Sequence, residues 1–275
     1  LYSIELESYA TGHATVTKKA VPTDFIIVMD QSGSMDDTMR EKVGNGAKDL
    51  YDNNKVSTAN GKTEGYYYAV IGNRTFDLRY KDNSWQYYND WSLDWRWKDI
   101  KSTDTNVGNI YRYVKKIEVA RTALNSLINS IKEKYAAEAT ADKADHRLAV
   151  VGYASERNGR KIYKNNEILT GCTVTEVSGR HDGAQYKPDD AAYKNAVKTA
   201  LVAADDASLS KVPGYLDAAG ATQTDDGMSM ADDILAAYYT KADGTLDTEA
   251  LQERNRVVIV VTDGVPTSGS DFEDS

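Results

Sequence analysis

The sequence predicts an α/β fold with a mostly parallel sheet, a β-rich inserted arm and an N-terminal β segment. Three short apolar runs, at residues 25–29, Arg147–Tyr153 and 256–262, are rich in branched side chains, which is typical of strands buried on both faces. Residues 117–131 carry the apolar stripe of an amphipathic helix. Strand, helix and strand in this order predict a parallel βαβ unit in which the helix packs on the sheet.

The composition narrows the classes of function. A net charge of −9 over 275 residues gives little support for nucleic-acid binding and favours cations as ligands. Cys172 is the single cysteine, so no disulfide can form within the chain. No apolar run approaches the ~20 residues that a membrane-spanning helix needs. Because the chain begins without Met, we expect a mature or excised piece whose targeting and anchoring segments lie outside it.

Two β-rich stretches flank the first buried strand. Residues 1–6 alternate apolar and polar side chains and residues 15–19 could pair with them, so residues 1–21 are predicted to be an N-terminal β segment. The inserted arm covers about residues 36–112 and opens with turn and coil formers. Three aromatic-rich runs inside the arm are separated by turn residues, which predicts a small antiparallel meander. These runs are residues 66–71, 75–80 and 85–88.

All four tryptophans lie in the arm, at Trp85, Trp91, Trp95 and Trp97. One interpretation is a small apolar core that holds the arm together. The other is an aromatic recognition face, because aromatic residues are enriched at the energetic centres of binding interfaces. Both interpretations stay open, and the four residues are candidates for contact with a ligand.

A second irregular insertion, about residues 155–188, follows the second buried strand. Short strands are possible near residues 161–163 and 172–177. No reactive motif surrounds Cys172, so we expect a small half-buried residue rather than a nucleophile.

Two further helices are predicted towards the C-terminus. The first opens at Asp189 and continues to about Ala204. The second follows a glycine turn, with Thr224 as its N-cap and two acidic residues in its first turn, where negative charge is favourable. Thr222 lies in the preceding loop and has no structural role in this scheme.

The first and third buried strands both end in oxygen-bearing side chains. Asp30-Gln31-Ser32-Gly33-Ser34 follows the first strand, and Asp263-Gly264 follows the third. Neighbouring parallel strands would place Asp30 and Asp263 at one edge of the sheet, where α/β proteins bind ligands. Oxygen donors without His or Cys suit a hard cation such as Mg²⁺ or Ca²⁺. Alone, the first pattern also fits a simple turn after a strand.

Taken in order, Asp-x-Ser-Gly-Ser, Gly-x-Thr-x-Thr and Thr-Asp-Gly resemble the metal-ion-dependent adhesion site of the von Willebrand factor type A domain. The resemblance covers about residues 22–267, interrupted by the arm. It implies a Rossmann-like doubly wound sheet for residues 22–275. The helix, strand and helix that complete this type of domain are not found after the third motif, so an incomplete fold with an open sheet edge is expected.

The resemblance also implies a role for each motif residue. Ser32 and Ser34 would bind the metal directly, and Thr222 would bind it directly or through water. Asp30 and Asp263 would hold it mostly through water. The cofactor implied is Mg²⁺, or Mn²⁺ or Ca²⁺, with an open position for an Asp or Glu carboxylate of a partner.

The arm and the N-terminal β segment make the chain similar to type A modules in surface proteins and pilus-tip adhesins of Gram-positive bacteria. The function implied is metal-dependent adhesion at the bacterial cell surface or cell wall. The partner would be a protein with an exposed acidic residue, such as a host extracellular-matrix protein or a pilus subunit.

Two alternative functions are an enzyme, which would be a hydrolase, and an intracellular assembly module. A phosphatase-like, metal-dependent hydrolase of the haloacid dehalogenase type needs a second Asp where this chain has Ser32. A serine hydrolase needs a base and a Gly-x-Ser-x-Gly turn, but His13, His146 and His181 lie in no motif, and His146 is expected in a solvated loop. We therefore expect no enzyme. The other alternative is an intracellular assembly module of the same family, which the arm and the N-terminal segment disfavour.

Overall fold

The computed structural model describes residues 6–8, 14–16, 21–89, 96–137, 145–155 and 166–264. The chain divides into two compact units, which are Leu1–Asp37 with Lys116–Ser275, and Thr38–Lys115. We call the second unit the arm.

The strands of the described residues are β1 (Leu6–Ser8), β2 (Ala14–Val16), β3 (Thr23–Asp30), β4 (Thr38–Asn45), β5 (Tyr67–Ile71), β6 (Arg74–Lys81), β7 (Ser84–Asn89), β8 (Arg96–Ile100), β9 (Val107–Lys115), β10 (Arg147–Tyr153), β11 (Glu167–Ile168), β12 (Thr175–Val177), β13 (Arg180–Asp182), β14 (Ala184–Gln185), β15 (Val202–Ala203) and β16 (Asn255–Val261). The helices are α1 (Ala47–Leu50), α2 (Lys116–Ala137), α3 (Ala191–Val197), α4 (Thr224–Tyr239) and α5 (Thr248–Glu253). Within the described ranges, 3₁₀ helices lie at Gly33–Asp36, Asn60–Lys62 and Ala207–Tyr215.

The first unit is built on a mixed sheet with the strand order β14-β11-β10-β3-β16. The central strand β3 pairs in parallel with β10 on one side and with β16 on the other, and Ile27 lies opposite both Val150 and Ile259. β11, β14 and β15 add antiparallel pairs. The predicted α/β class with parallel strands is confirmed in this coarser form, as a mixed α/β protein that also contains separate antiparallel sheets.

Helices cover both faces of β3 and β10. Alternate residues of β3 point to opposite faces, so Ile27 and Met29 join the core under α2, whereas Ile26 and Val28 join the core under α3 and α4. Ile26, Ile27 and Val28 have no exposed surface, which explains why the sequence of β3 shows no polar alternation. The buried stripe of α2 contributes Ile117, Ala120, Leu124, Ile128 and Ile131.

The arm is an antiparallel sheet with the strand order β4-β9-β5-β6-β7-β8. Its own apolar core lies on one face and includes Trp85, which has no exposed surface, together with Leu78 and Ile110. Trp97 lies on the other face, because it pairs with Tyr88, whereas Trp85 pairs with Ile100 on the core face. Trp91 and Trp95 lie outside the described residues.

Several local predictions were wrong. Thr38–Asn45 was expected to be coil but forms β4, because β9 pairs with it along its length. The helix expected to reach about Ala204 ends at Val197, because Val202–Ala203 pairs with β10 instead. Gln223, not Thr224, precedes α4 as its cap residue. The predicted burial of the third strand was also wrong, because β16 pairs only with β3 at the edge of the described sheet, and its Val257, Val258 and Val260 are exposed.

Other predictions had mixed outcomes. His146 is buried rather than solvated, and its Nδ1 accepts a hydrogen bond from Thr23 N at 3.1 Å. Cys172 is half-buried as expected. The strand expected near residues 172–177 is restricted to Thr175–Val177, and residues 161–163 lie outside the described residues. Among the described helices, none is long and apolar enough to cross a membrane.

Candidate functional site

The candidate site begins where β3 ends. Asp30 is fully buried, and both oxygens of its carboxylate are engaged. Ser32 N donates a hydrogen bond to Asp30 Oδ1 at 2.8 Å, and Thr262 Oγ1 donates one to Asp30 Oδ2 at 2.8 Å. The first bond closes a tight turn after the strand, and the second joins this turn to the end of β16.

A chain of hydroxyl and carboxylate oxygens continues from this turn. Ser32 Oγ lies 3.0 Å from Ser34 Oγ, and Ser34 Oγ donates to Asp263 Oδ1 at 2.9 Å. The chain forms because β16 pairs in parallel with β3, with Val261 opposite Met29, so that both strands end at the same edge. The structure thus brings Asp30, Ser32, Ser34 and Asp263 together, as the sequence pattern predicts.

A third loop packs against this turn through backbone contacts at two glycines. Gly33 N donates to Gly220 O at 2.9 Å, and a Cβ on Gly33 would lie 2.9 Å from the same oxygen. Gly220 has φ +89°, and its own Cβ would lie 2.3 Å from Ser155 O. Glycine is therefore required at position 220 both by the backbone conformation and by the close approach. Thr222 lies two residues further on and is buried, at 4 % exposure.

Lys116 is a site residue that the motifs did not identify. Its Nζ lies 2.6 Å from Asp263 Oδ2, and this hydrogen bond raises the pKa of Lys116 above its usual value. Lys116 is the first residue of α2, and its backbone N donates to Asp37 O at 3.0 Å. Only its position at the start of the helix after the arm could have indicated this role, because a lone lysine carries no motif.

Gln31, the variable position of the first motif, is also fully buried. Its backbone N donates to Tyr153 O at 2.8 Å, at the end of β10, and its backbone O accepts from Ala219 N at 2.9 Å. The turn is therefore fixed on both sides by backbone bonds to other segments. Thr262 is the first residue of the Thr-Asp-Gly motif, but no role in the site was assigned to it from the sequence alone.

The site contains only oxygen donors and one ammonium group. Its carboxylate and hydroxyl oxygens are the donor types that Mg²⁺ takes, and two carboxylates give the negative charge that a divalent cation requires. Among the described residues, no group of three or more His, Cys, Asp or Glu side chains is placed to hold a metal ion, and the candidate site itself contributes only two such side chains, Asp30 and Asp263. Asp30, Ser32, Ser34 and Asp263 thus provide a donor set that fits a hard cation, whereas the inclusion of Thr222 rests on the sequence motif and on the packing of its loop.

Comparison with known proteins gave no relative: no family model matches the chain, and no curated protein and no solved structure matches it either.

Proposed function

We propose that this chain is a metal-dependent adhesion module of the von Willebrand factor type A family, with a Rossmann-like doubly wound fold in its first unit. Mg²⁺, or Mn²⁺ or Ca²⁺, would be held by Ser32, Ser34 and Thr222, with Asp30 and Asp263 acting mostly through water. The module would bind an acidic side chain of a partner protein through the open position of the metal.

One observation carries this proposal: hydrogen bonds between oxygen-bearing side chains link the ends of two parallel strands. Thr262 is bonded to Asp30, and Ser34 is bonded to both Ser32 and Asp263. Side chains that lie at hydrogen-bond distance from one another can also turn their oxygens towards one small cation. Mg²⁺ keeps several waters and takes few protein ligands. This preference matches a site in which two hydroxyls bind the metal directly and two carboxylates bind its water molecules.

The choice of ligands explains why the partner should be acidic. Neutral hydroxyls in direct contact would leave most of the charge of a divalent cation uncompensated. A carboxylate from another protein would complete the charge and the coordination shell. We place this activity outside the cell, at the surface or wall of a Gram-positive bacterium, with a matrix protein or a pilus subunit as the partner.

The arm would add to the choice of partner through the face opposite its core. Trp97 on this face contacts Tyr88, with ring centroids 5.3 Å apart, and the Arg79 guanidinium lies 3.9 Å above the Trp97 ring. Trp, Tyr and Arg are the residues most enriched at the energetic centres of interfaces. Trp85 lies in the arm's core and would act there as a scaffold.

Calorimetric titration of Mg²⁺ or Mn²⁺ tests the metal site. Wild type should bind one divalent cation, and Ser32→Ala/Ser34→Ala should lose this binding, because both direct hydroxyl ligands are gone. Ser126→Ala/Ser130→Ala removes the same two groups from the exposed side of α2 and should bind the metal like wild type. Equal titrations for the two double variants would refute the metal site.

Adhesion is tested separately on an array of immobilised matrix proteins and pilus subunits. Binding should require the divalent cation, disappear with EDTA and be absent in Ser32→Ala/Ser34→Ala. Binding that persists in EDTA would contradict adhesion through the metal. Metal-dependent turnover of esters or phosphomonoesters that Asp30→Ala abolishes would identify an enzyme instead.

A further inference from the structure

A buried hydrogen-bond relay extends from the candidate site into the irregular segment after β10. The Gln31 side chain is fully enclosed: its Nε2 donates to Glu167 Oε1 at 3.0 Å, and its Oε1 accepts from Asp217 N at 3.3 Å. Gly152 leaves room for it, since a Cβ at that position would lie 2.6 Å from Gln31 Cδ. The amide of Gln31 therefore has one fixed place, between β10 and Glu167.

Glu167 is a fully buried acid at the other end of this relay. Besides Gln31, its carboxylate accepts hydrogen bonds from Gly183 N at 2.6 Å and from Gln185 Nε2 at 2.9 Å. All three groups are donors, and a carboxylate, which offers lone pairs on both oxygens and carries no proton of its own, can accept from all of them. A buried carboxylate that receives three hydrogen bonds holds its donors more firmly than a neutral group would.

We propose that Glu167 is a positioning residue of the candidate metal site: it holds Gln31, and through Gln31 it fixes the turn that presents Asp30 and Ser32. The inference rests on the proposed function for its consequence, since a turn held in place binds a metal more tightly. It adds a residue that no motif indicates, 136 positions from Gln31 in the sequence. Replacing residues that orient metal ligands through hydrogen bonds commonly lowers metal affinity by about 10-fold to 100-fold.

The surroundings of Glu167 let it gain a proton near neutral pH. Among the described residues, Gln185 Oε1 is buried and has no hydrogen-bond partner. Rotation of the Gln185 amide by half a turn would direct this oxygen at Glu167, where it could accept the proton of a neutral carboxyl group. Burial raises the pKa of Glu167 to about 7, and Asp182 and Asp217 act in the same direction.

Cys172 and His181 are two further titratable groups in the described segments around Glu167. The Cys172 thiol responds to the charge of Glu167, and the pKa of the thiol is raised mainly by burial. His181 Nδ1 lies 3.1 Å from Asp217 Oδ2, and Arg121 lies 3.5 Å from the other oxygen of Asp217, so this acid has a cationic neighbour of its own in Arg121. Among the residues that the structure describes, none forms an ion pair with Glu167, and a neutral Glu167 would hold Gln31 less firmly. Metal affinity should therefore fall as the pH is lowered through the pKa of Glu167.

Calorimetric titration of Mg²⁺ at about pH 8 and about pH 6 tests the inference on the intact chain. At the higher pH, Glu167→Gln should weaken Mg²⁺ binding about 10-fold relative to wild type. Wild type should lose affinity between the two pH values, while Glu167→Gln should stay constant. Glu176→Gln is the matched control, because it makes the same change at an exposed position of β12, and it should behave as wild type.

A double-mutant cycle tests the route through Gln31. Gln31→Met removes the same hydrogen bond from its other end, so Glu167→Gln should have little further effect in the Gln31→Met protein. Equal affinities of Glu167→Gln and wild type at both pH values would overturn the inference. Fully additive effects of the two substitutions would overturn it as well. If Glu167→Gln does not fold, the same comparison between wild type and Gln31→Met decides.

Amide hydrogen exchange in the metal-free protein separates this inference from the proposed function. If wild type binds no Mg²⁺, the proposed function fails and positioning is judged by exchange alone. Glu167→Gln should then accelerate exchange at Ser32 N and Gly33 N, which are bonded to Asp30 Oδ1 and Gly220 O, but not at the core of β3. Unchanged exchange, or equal acceleration throughout β3, would refute positioning.

Discussion

Lys116 Nζ and Asp263 Oδ2 lie 2.6 Å apart, so an ammonium group shares a carboxylate with the candidate metal site. The Asp263 side chain is 10 % exposed and the Lys116 side chain 29 %. The ammonium group and a divalent cation would both be attracted to this carboxylate. Lys116 therefore reduces the net negative charge of the candidate site that is available to a metal ion.

Replacing Lys116 by Met should therefore tighten metal binding. Loss of one nearby positive charge at a partly exposed position should lower the Kd for Mg²⁺ roughly threefold to tenfold. Lys132→Met, on the exposed side of α2, should leave the Kd unchanged. Calorimetry at low and high ionic strength measures the effect, which salt should reduce. Weaker binding in Lys116→Met would mean that the lysine holds Asp263 in place rather than competing for it.

Gly220→Ala should disrupt the loop that carries Thr222. The new methyl group would be forced against Ser155 O, and φ of +89° is unfavourable for alanine, so the free energy of unfolding should fall by about 2–4 kcal/mol. Gly244→Ala is a matched control, because Gly244 has φ +81° but no atom within 4 Å of its Cβ position. It should cost only about 1 kcal/mol, the strain alone. Denaturant unfolding gives both values, and equal losses would show that the contact with Ser155 is unimportant.

Glu167 should make the protein less stable as the pH rises from about 4.5 to about 7. Its pKa is about 7 in the folded chain and 4.5 in the reference state, so the folded protein binds the extra proton between these values. The free energy of unfolding should therefore fall with rising pH by about 3 kcal/mol in wild type relative to Glu167→Gln. Urea unfolding at several pH values measures this difference. An identical pH dependence in the two proteins would contradict the raised pKa.

The two described tryptophans of the arm should respond differently to replacement by alanine. Trp85→Ala empties a core position and should lower the free energy of unfolding of the arm by about 3–5 kcal/mol. Trp97→Ala removes a half-buried ring from the other face and should cost clearly less, while reducing binding to those array proteins that wild type recognises. Thermal unfolding and the binding array give the two readouts. Undiminished binding in Trp97→Ala would limit the arm to a scaffold role.

The parts of the fold that could be predicted are those in which local sequence and burial agree. The residues of β3 and β10 form buried strands because they are continuous branched apolar runs, and the stripe of α2 has helical spacing. β16 has the same apolar pattern and forms a strand, but it is mostly exposed. The site residues could be placed together because parallel neighbours end at one edge, which requires no knowledge of side-chain contacts.

The features that could not be predicted depend on distant partners. The residues of β4 are polar and mostly exposed, and only pairing with β9 makes them a strand. His146 was predicted to lie in a solvated loop, but it is buried and accepts a hydrogen bond from the backbone N of Thr23, which is distant in the sequence. Lys116 and Glu167 reach the site from far along the chain, and neither has a neighbour in sequence that indicates it. Such contacts arise from tertiary packing, which local propensity does not contain.

The hydrogen bond between Ser34 and Asp263 joins residues 229 positions apart, and this distance sets the order of events during biosynthesis. A ribosome releases the turn after β3 before the second carboxylate, which emerges only after the residues between them have been made. The nascent chain would therefore meet cellular cations without a finished site and could not retain one. Contacts of such high sequence separation also form late and slowly in folding. Metal binding would thus occur only in molecules in which the sheet of the first unit has formed completely.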